Sequence, residues 1–238
     1  MTTHAVERGS AVEARVWHGL SVHWAWLAGG FALAFAVPYV LADVWEINRD
    51  LFYGLYAIAV FGLLAVWSRS TGYDLGAAVR RRWLAALLLG LAAAGVMAAM
   101  VVRTEDATSR PDGLDLVGAL AWRGILYGVT DGLLLSVFPI LVVFAAFGGT
   151  RLDRRFAGKL AIGAVALAAS LAMTAVYHSG YSEFRSDKVT KPLTGDVIWS
   201  IPTLVTLNPI GAPIAHAGLH TSAVLHSYET DTFLPPHR

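Results

Sequence analysis

The sequence predicts an all-α, polytopic integral membrane protein: a helical bundle of about six transmembrane helices whose last span is broken by Pro and Gly. Three observations carry that prediction. Of 238 residues, 56% are hydrophobic and only 15% are charged, where a typical soluble domain carries about 25% charge. The mean hydropathy is +0.56. The apolar residues also fall in blocks long enough to span a bilayer, since about 20 residues of helix cross roughly 30 Å of hydrocarbon. The net charge is +1 and the longest basic run is Arg80-Arg81-Arg82, which leaves no stripe able to follow a phosphate backbone. The expected partner is therefore a lipid bilayer and not nucleic acid. Cysteine is absent, which excludes disulfides, thiolate zinc sites, iron–sulfur clusters and cysteine nucleophiles. Any metal must be held by His, Asp or Glu.

Five stretches qualify as spans outright: residues 21–43, 51–67, 83–102, 129–147 and 159–177. The first is longer than the roughly 7–15 residue core of a signal peptide and follows a segment, residues 1–20, that contains Glu7, Arg8, Glu13 and Arg15. It reads as a retained anchor behind a cytoplasmic N-terminal segment. The sixth stretch, residues 198–226, is interrupted at Ile201-Pro202 and across residues 208–213, where prolines remove backbone donors. Residues 21–226 make the bundle and residues 227–238 a polar tail, and with no internal repeat the whole of 1–238 reads as one domain. With a cytoplasmic N-terminus, eleven Lys and Arg fall inside and six outside, with Arg123 in a span. That excess favours a multi-pass protein of the cell membrane in this orientation. The long polar connections, residues 103–115 and 178–197, then share the outer side.

The fourth span holds the first functional candidates. Residues 114–148 would extend about 52 Å as one helix, so the segment must tilt strongly or bend, with Pro139 the natural kink. Gly124, Gly128, Gly132 and Ser136 recur every four residues, a small-residue stripe that lets a neighbouring helix approach closely. Beside it run Arg123, Tyr127 and Asp131. The two charges lie about 12 Å apart along the axis, so each needs a partner from another helix or from water. Alternatively, Arg123 sits near the interface and snorkels.

Of the eight histidines, four cluster in the last third ahead of His237: His178 at the end of the fifth span, and His216, His220 and His226 in the broken one. His216 and His220 are four apart, on one helix face, the spacing that chelates a divalent metal, zinc above all, once a third ligand arrives. His178 or Asp131 can supply it. Glu183 lies close in sequence to His178 and is a candidate base for activating water, or else a solvated charge near Arg185. His18 and His23, beside Trp17, Trp24 and Trp26, fit an interfacial aromatic belt. Haem held by two facing histidines, with His23 one partner, stays open. No phosphate-binding glycine loop, GxSxG elbow or HExxH motif occurs.

At these residues the chain resembles the CPBP family of intramembrane proteases, which includes the CAAX prenyl endopeptidases. Residues 122–127, Trp-Arg-Gly-Ile-Leu-Tyr, resemble the end of that family's EExxxR motif. Residues 174–178, ending in His178, resemble FxxxH with Thr174 in place of Phe, and residues 215–220 resemble HxxxN with His220 in place of Asn. The two glutamates of the first motif would fall at Gly118 and Ala119. The resemblance implies a protease-like activity whose carboxylate is absent there and must come from Asp115, Asp131 or Glu183.

Two functions follow. The first is a membrane-embedded hydrolase acting on a membrane-embedded peptide or small molecule. In it His178, His216 and His220 hold a metal or polarise water, Asp131 or Glu183 is the base, and Arg123 orients the carboxylate or substrate. The second is a non-enzymatic carrier, or an accessory subunit of a membrane complex with a polar translocation or cofactor site, in which the broken segment around residues 208–213 exposes backbone to a solute or ion and the same polar residues form a translocation or proton path.

Overall fold

A computed structural model describes residues 3–185, 187–230 and 233–235, with side chains described from Leu20 onward apart from Asp187. Trp17 and His18, expected in the aromatic belt, lie outside the described side chains. The described residues are helical with no strand. The main helices are α1 (Thr3–Val37), α2 (Arg49–Thr71), α3 (Leu75–Arg80), α4 (Trp83–Thr104), α5 (Gly113–Ala119), α6 (Tyr127–Asp131), α7 (Phe138–Ala146), α8 (Phe156–Ser179), α9 (Thr190–Thr206) and α10 (Gly211–His226). Asn48 and Asp74 cap α2 and α3 by accepting from the amides of Asp50 and Ala77, both at 2.8 Å.

Five segments are long and apolar enough to cross a membrane: Leu20–Val44, Arg49–Thr71, Trp83–Thr104, Gly113–Ala146 and Phe156–Ser179. They coincide with the first five expected spans. The sixth differs. Helix α9 begins at Thr190, inside the stretch expected to be a polar connection, and continues through Pro202. The break falls at residues 207–210, where Leu207 takes φ 52°. Asn208, fully buried, fixes that break by donating from Nδ2 to the carbonyls of Val79 and Arg81, at 2.7 and 2.6 Å, while its Oδ1 accepts from the amide of Ile210. The expected sixth span is thus two short helices pinned to the turn before α4.

The fourth span is the centre of the bundle. Of its most apolar 18 residues 78% are buried, against 28–44% in the other four. It runs as one helical path from Gly113 to Ala146, with π-helical turns at Leu120–Leu126 and Gly132–Val137 on either side of α6. The second π turn immediately precedes Pro139, so the expected kink takes the form of a shifted hydrogen-bond ladder. Lipid tails are as apolar as Leu, so close packing and not hydrophobic transfer holds such helices together. The small-residue stripe provides that packing. A Cβ on Gly124 would lie 3.2 Å from Thr221 Cα, one on Gly128 2.6 Å from Ala217 Cα, and one on Gly132 2.5 Å from Pro213 Cα. All three contacts are on α10, so the stripe draws α10 against the central helix.

Candidate functional site: a buried Asp-His-His cluster

The close approach of α10 to α6 determines the chemistry. Asp131 ends α6 on the turn beside Gly132, while His216 and His220 sit one turn apart on α10. Their ligand atoms all lie within 4.8 Å of one another, the one such cluster among the described residues. All three are buried, at 4%, 1% and 4% exposure for Asp131, His216 and His220.

Hydrogen bonding around the cluster is incomplete in a specific way. His220 Nδ1 donates to the Phe233 carbonyl at 2.6 Å. A carbonyl only accepts, so that bond fixes the proton on Nδ1 and, in the neutral ring, leaves a lone pair on Nε2. That Nε2 faces Asp131 Oδ2 at 3.3 Å. Two lone-pair atoms facing each other in a buried site require a cation or a proton between them. Asp131 Oδ1 and both ring nitrogens of His216 also lack hydrogen-bond partners, although each unpaired buried group costs about 1–3 kcal/mol. The Tyr56 hydroxyl lies beside Asp131, and it too lacks a well-formed hydrogen bond. One ligand atom from each of Asp131, His216 and His220 thus lies within reach of the others, and they are the donor types that bind a divalent metal.

Aromatic rings enclose the histidines. Tyr127 lies 4.6 Å from the His220 ring and Trp199 4.2 Å from the His216 ring, by centroids. Behind Tyr127 runs a hydroxyl chain, Tyr127–Tyr177–Tyr181, with both O···O distances 3.0 Å. The cluster forms the wall of a cavity of about 640 Å³, within the range of small-molecule sites. Its sides are mostly apolar, including Met100, Leu135, Leu219 and Phe233, and its lining also includes Glu105, Glu183, Lys188 and Lys191. The two long polar connections expected on one side therefore do meet, around this cavity.

No protein-family model, curated protein or solved structure matches the chain.

The expected site residues divide into three groups. Asp131, His216 and His220 come together as the cluster. His178 and Glu183 line the cavity but stand outside the three-residue cluster; His178 Nδ1 donates to the Thr174 carbonyl at 2.8 Å, which leaves its Nε2 as an acceptor in the neutral ring. Asp131, rather than His178, is the third member beside the two α10 histidines. Arg123 is absent from the cavity lining. It makes a two-point pair with Asp50 at 2.9 and 2.8 Å, donates to the Tyr228 hydroxyl at 2.7 Å, and lies over that ring. It joins α2, the central helix and the tail. With side chains 21% and 45% exposed, this pair contributes about 1 kcal/mol or less. Arg123→Gln is therefore expected to lower thermal stability slightly and leave metal binding unchanged, which denaturation and metal analysis of one preparation will check. His23 accepts from Trp67 Nε1 at 3.3 Å, and it is not in the cavity lining.

Sequence reasoning missed three contributors. The Phe233 carbonyl carries no side-chain signal. Tyr56 lies on α2, far away in sequence. Asp196 was assigned to a connection, although Asp196, Trp199, Ser200 and Thr203 repeat at helical spacing and all four are buried on α9.

Proposed function

We propose that this chain is a membrane-embedded hydrolase whose centre is a divalent metal ion, zinc by preference, held by Asp131, His216 and His220. The observation that carries this reading is His220 Nε2, with its proton fixed on Nδ1 by the Phe233 carbonyl, facing Asp131 Oδ2 at 3.3 Å. A carbonyl behind a histidine is the usual outer-shell support of a metal ligand. Two histidines and one carboxylate form a three-ligand set of the catalytic kind, in contrast to the four protein ligands of structural zinc. Zinc in such a set acidifies bound water and polarises a carbonyl.

The remaining roles belong to the chain. His178 offers an acceptor nitrogen in the cavity wall and Glu183 a carboxylate in its lining; either can take a proton from water. The apolar sides favour an amphipathic substrate, a peptide or small molecule that enters from the bilayer. The protease-like class rests on the resemblance of residues 122–127, 174–178 and 215–220 to the CPBP motifs, with Asp131 in place of the missing glutamates. The setting proposed with it is the cell membrane, with the N-terminus cytoplasmic. The carrier reading relied in part on exposed backbone at the broken span, where Asn208 is buried and bonded, and in part on the same polar residues as a translocation or proton path.

The test is hydrolysis of quenched-fluorescent transmembrane peptides by detergent-purified protein. Chelator treatment is expected to reduce cleavage to background, and one equivalent of zinc to restore it. Cleavage that persists after complete metal removal would refute the metal-dependent reading.

A further inference from the structure

A second buried polar cluster lies between the central helix, α8 and α9, and its hub is a carboxylate outside the Asp-His-His cluster. Asp196 Oδ1 accepts from Trp199 Nε1 and Ser200 Oγ, both at 2.8 Å, with Ser170 Oγ at 3.1 Å and Ser136 Oγ at 3.3 Å. Thr174 lies against the same carboxylate. Asp196, Ser136, Ser170, Thr174 and Ser200 are all 0% exposed, and none of them lines the cavity. All of these partners are neutral, so the acid is held by hydrogen bonds with no cation among them. A buried acid held that way costs more than a neutral residue of its size, which points to a role beyond stability.

What the hub reaches is Trp199. That residue does line the cavity, and its ring packs on His216 with centroids 4.2 Å apart. Of the three histidines in the cavity wall, His216 is the one whose ring no hydrogen bond orients. His220 and His178 each donate from Nδ1 to a backbone carbonyl, whereas both nitrogens of His216 lack a partner. An imidazole turns about a broad torsion, yet a metal ligand must present one particular nitrogen. With the ring 1% exposed, its orientation depends on the rings packed against it. These are the His220 ring, 6.2 Å away and inclined by 24°, and Trp199. The Trp199 indole has a single N–H, and Asp196 receives it. A hydrogen bond to an ionised acceptor is short and strong, and the carboxylate is in turn bonded to serines of α8 and the central helix.

We propose that Asp196 is a positioning residue for the metal centre: it fixes the Trp199 indole, and the indole fixes the His216 ring so that one nitrogen meets the ion. The inference rests on the metal reading above. It gives the two histidine ligands different supports, a backbone carbonyl behind His220 and a carboxylate acting through an indole beside His216.

The test pairs zinc titration with the visible absorption of the cobalt(II)-loaded protein, since cobalt reports the ligand geometry and zinc, a d10 ion, does not. Trp199→Phe removes the N–H and shortens the ring, and Asp196→Leu removes the acceptor at similar volume. Each is expected to weaken zinc binding by about 10–100-fold and to shift the cobalt bands. Asp196→Asn keeps an acceptor for the indole and is expected to show the parental bands, with zinc binding within about threefold of the parent. A role in stability alone would lower Tm in these variants and leave the bands of the folded protein unmoved. Parental affinity and bands in Trp199→Phe, which keeps Asp196 and its serines in place, would overturn the proposal even where the Leu variant fails to fold. So would parental bands in a folded Asp196→Leu protein, or an Asn variant as impaired as the Leu variant. In a parent that binds zinc, those results leave the metal centre standing. A parent that binds neither zinc nor cobalt would overturn the metal reading itself, and this inference with it.

Discussion

Gly128→Leu is expected to eliminate the Asp-His-His cluster while leaving every one of its side chains in the sequence. Gly128 faces backbone: an added Cβ would lie 2.6 Å from Ala217 Cα, 2.8 Å from Ala217 N and 2.8 Å from the His216 carbonyl. Helix α10 cannot retreat, because α4 holds its other side. There Gly90 faces the Gly211 carbonyl, and a Cβ on Gly218 would reach Ala94 Cβ at 2.4 Å. Overpacking a good core costs about 1–3 kcal/mol, and a clash with backbone on both flanks falls at or above the top of that range. The variant is expected to lose metal binding and to unfold at least about 5 °C lower. Gly62→Leu and Gly163→Leu, whose positions have nothing within 4 Å, are expected to behave as the parent does. Differential scanning fluorimetry with metal analysis distinguishes them; a Gly128→Leu protein with full metal content would show that close helix approach does not build the site.

The second large effect belongs to Asp131→Asn. The substitution keeps the shape and removes the only carboxylate in the cluster, leaving two imidazoles and a neutral amide to oppose a divalent charge. Changes to outer-shell partners lower metal affinity by about 10–100-fold, so loss of a ligand is expected to exceed about 100-fold. Arg123→Gln provides the contrast. Its charge lies in the same helical path, eight residues before Asp131, yet is paired with Asp50, and affinity should not change. Competition titration against a zinc chelator dye measures both, and equal affinity in the Asp131→Asn and parent proteins would remove Asp131 from the ligand set.

Most of the fold was legible because the bilayer constrains it so strongly. Five spans follow from apolar length alone, and the glycine stripe on the fourth follows from a four-residue repeat. The site was legible in part. His216 and His220 at four-residue spacing announced a shared face, and the rule that intramembrane charges need partners drew attention to Asp131. The rest depends on contacts between residues distant in sequence. Nothing near Arg123 encodes Asp50, 73 residues earlier, so that pairing was not legible in the sequence. Pro202 read as a break because prolines usually stop helices, whereas α9 runs through it and ends at Leu207, held by Asn208. That early break hid the buried face of α9 and, with it, Asp196.

Zinc content per chain, measured by mass spectrometry on protein loaded with zinc and then desalted, tests the central claim most directly. One zinc per chain in the parent, near zero in Asp131→Asn and in the His216→Ala/His220→Ala double variant, and one again in Arg123→Gln is the predicted result. A parent protein that retains no zinc, or a folded double variant that retains it fully, would contradict the account.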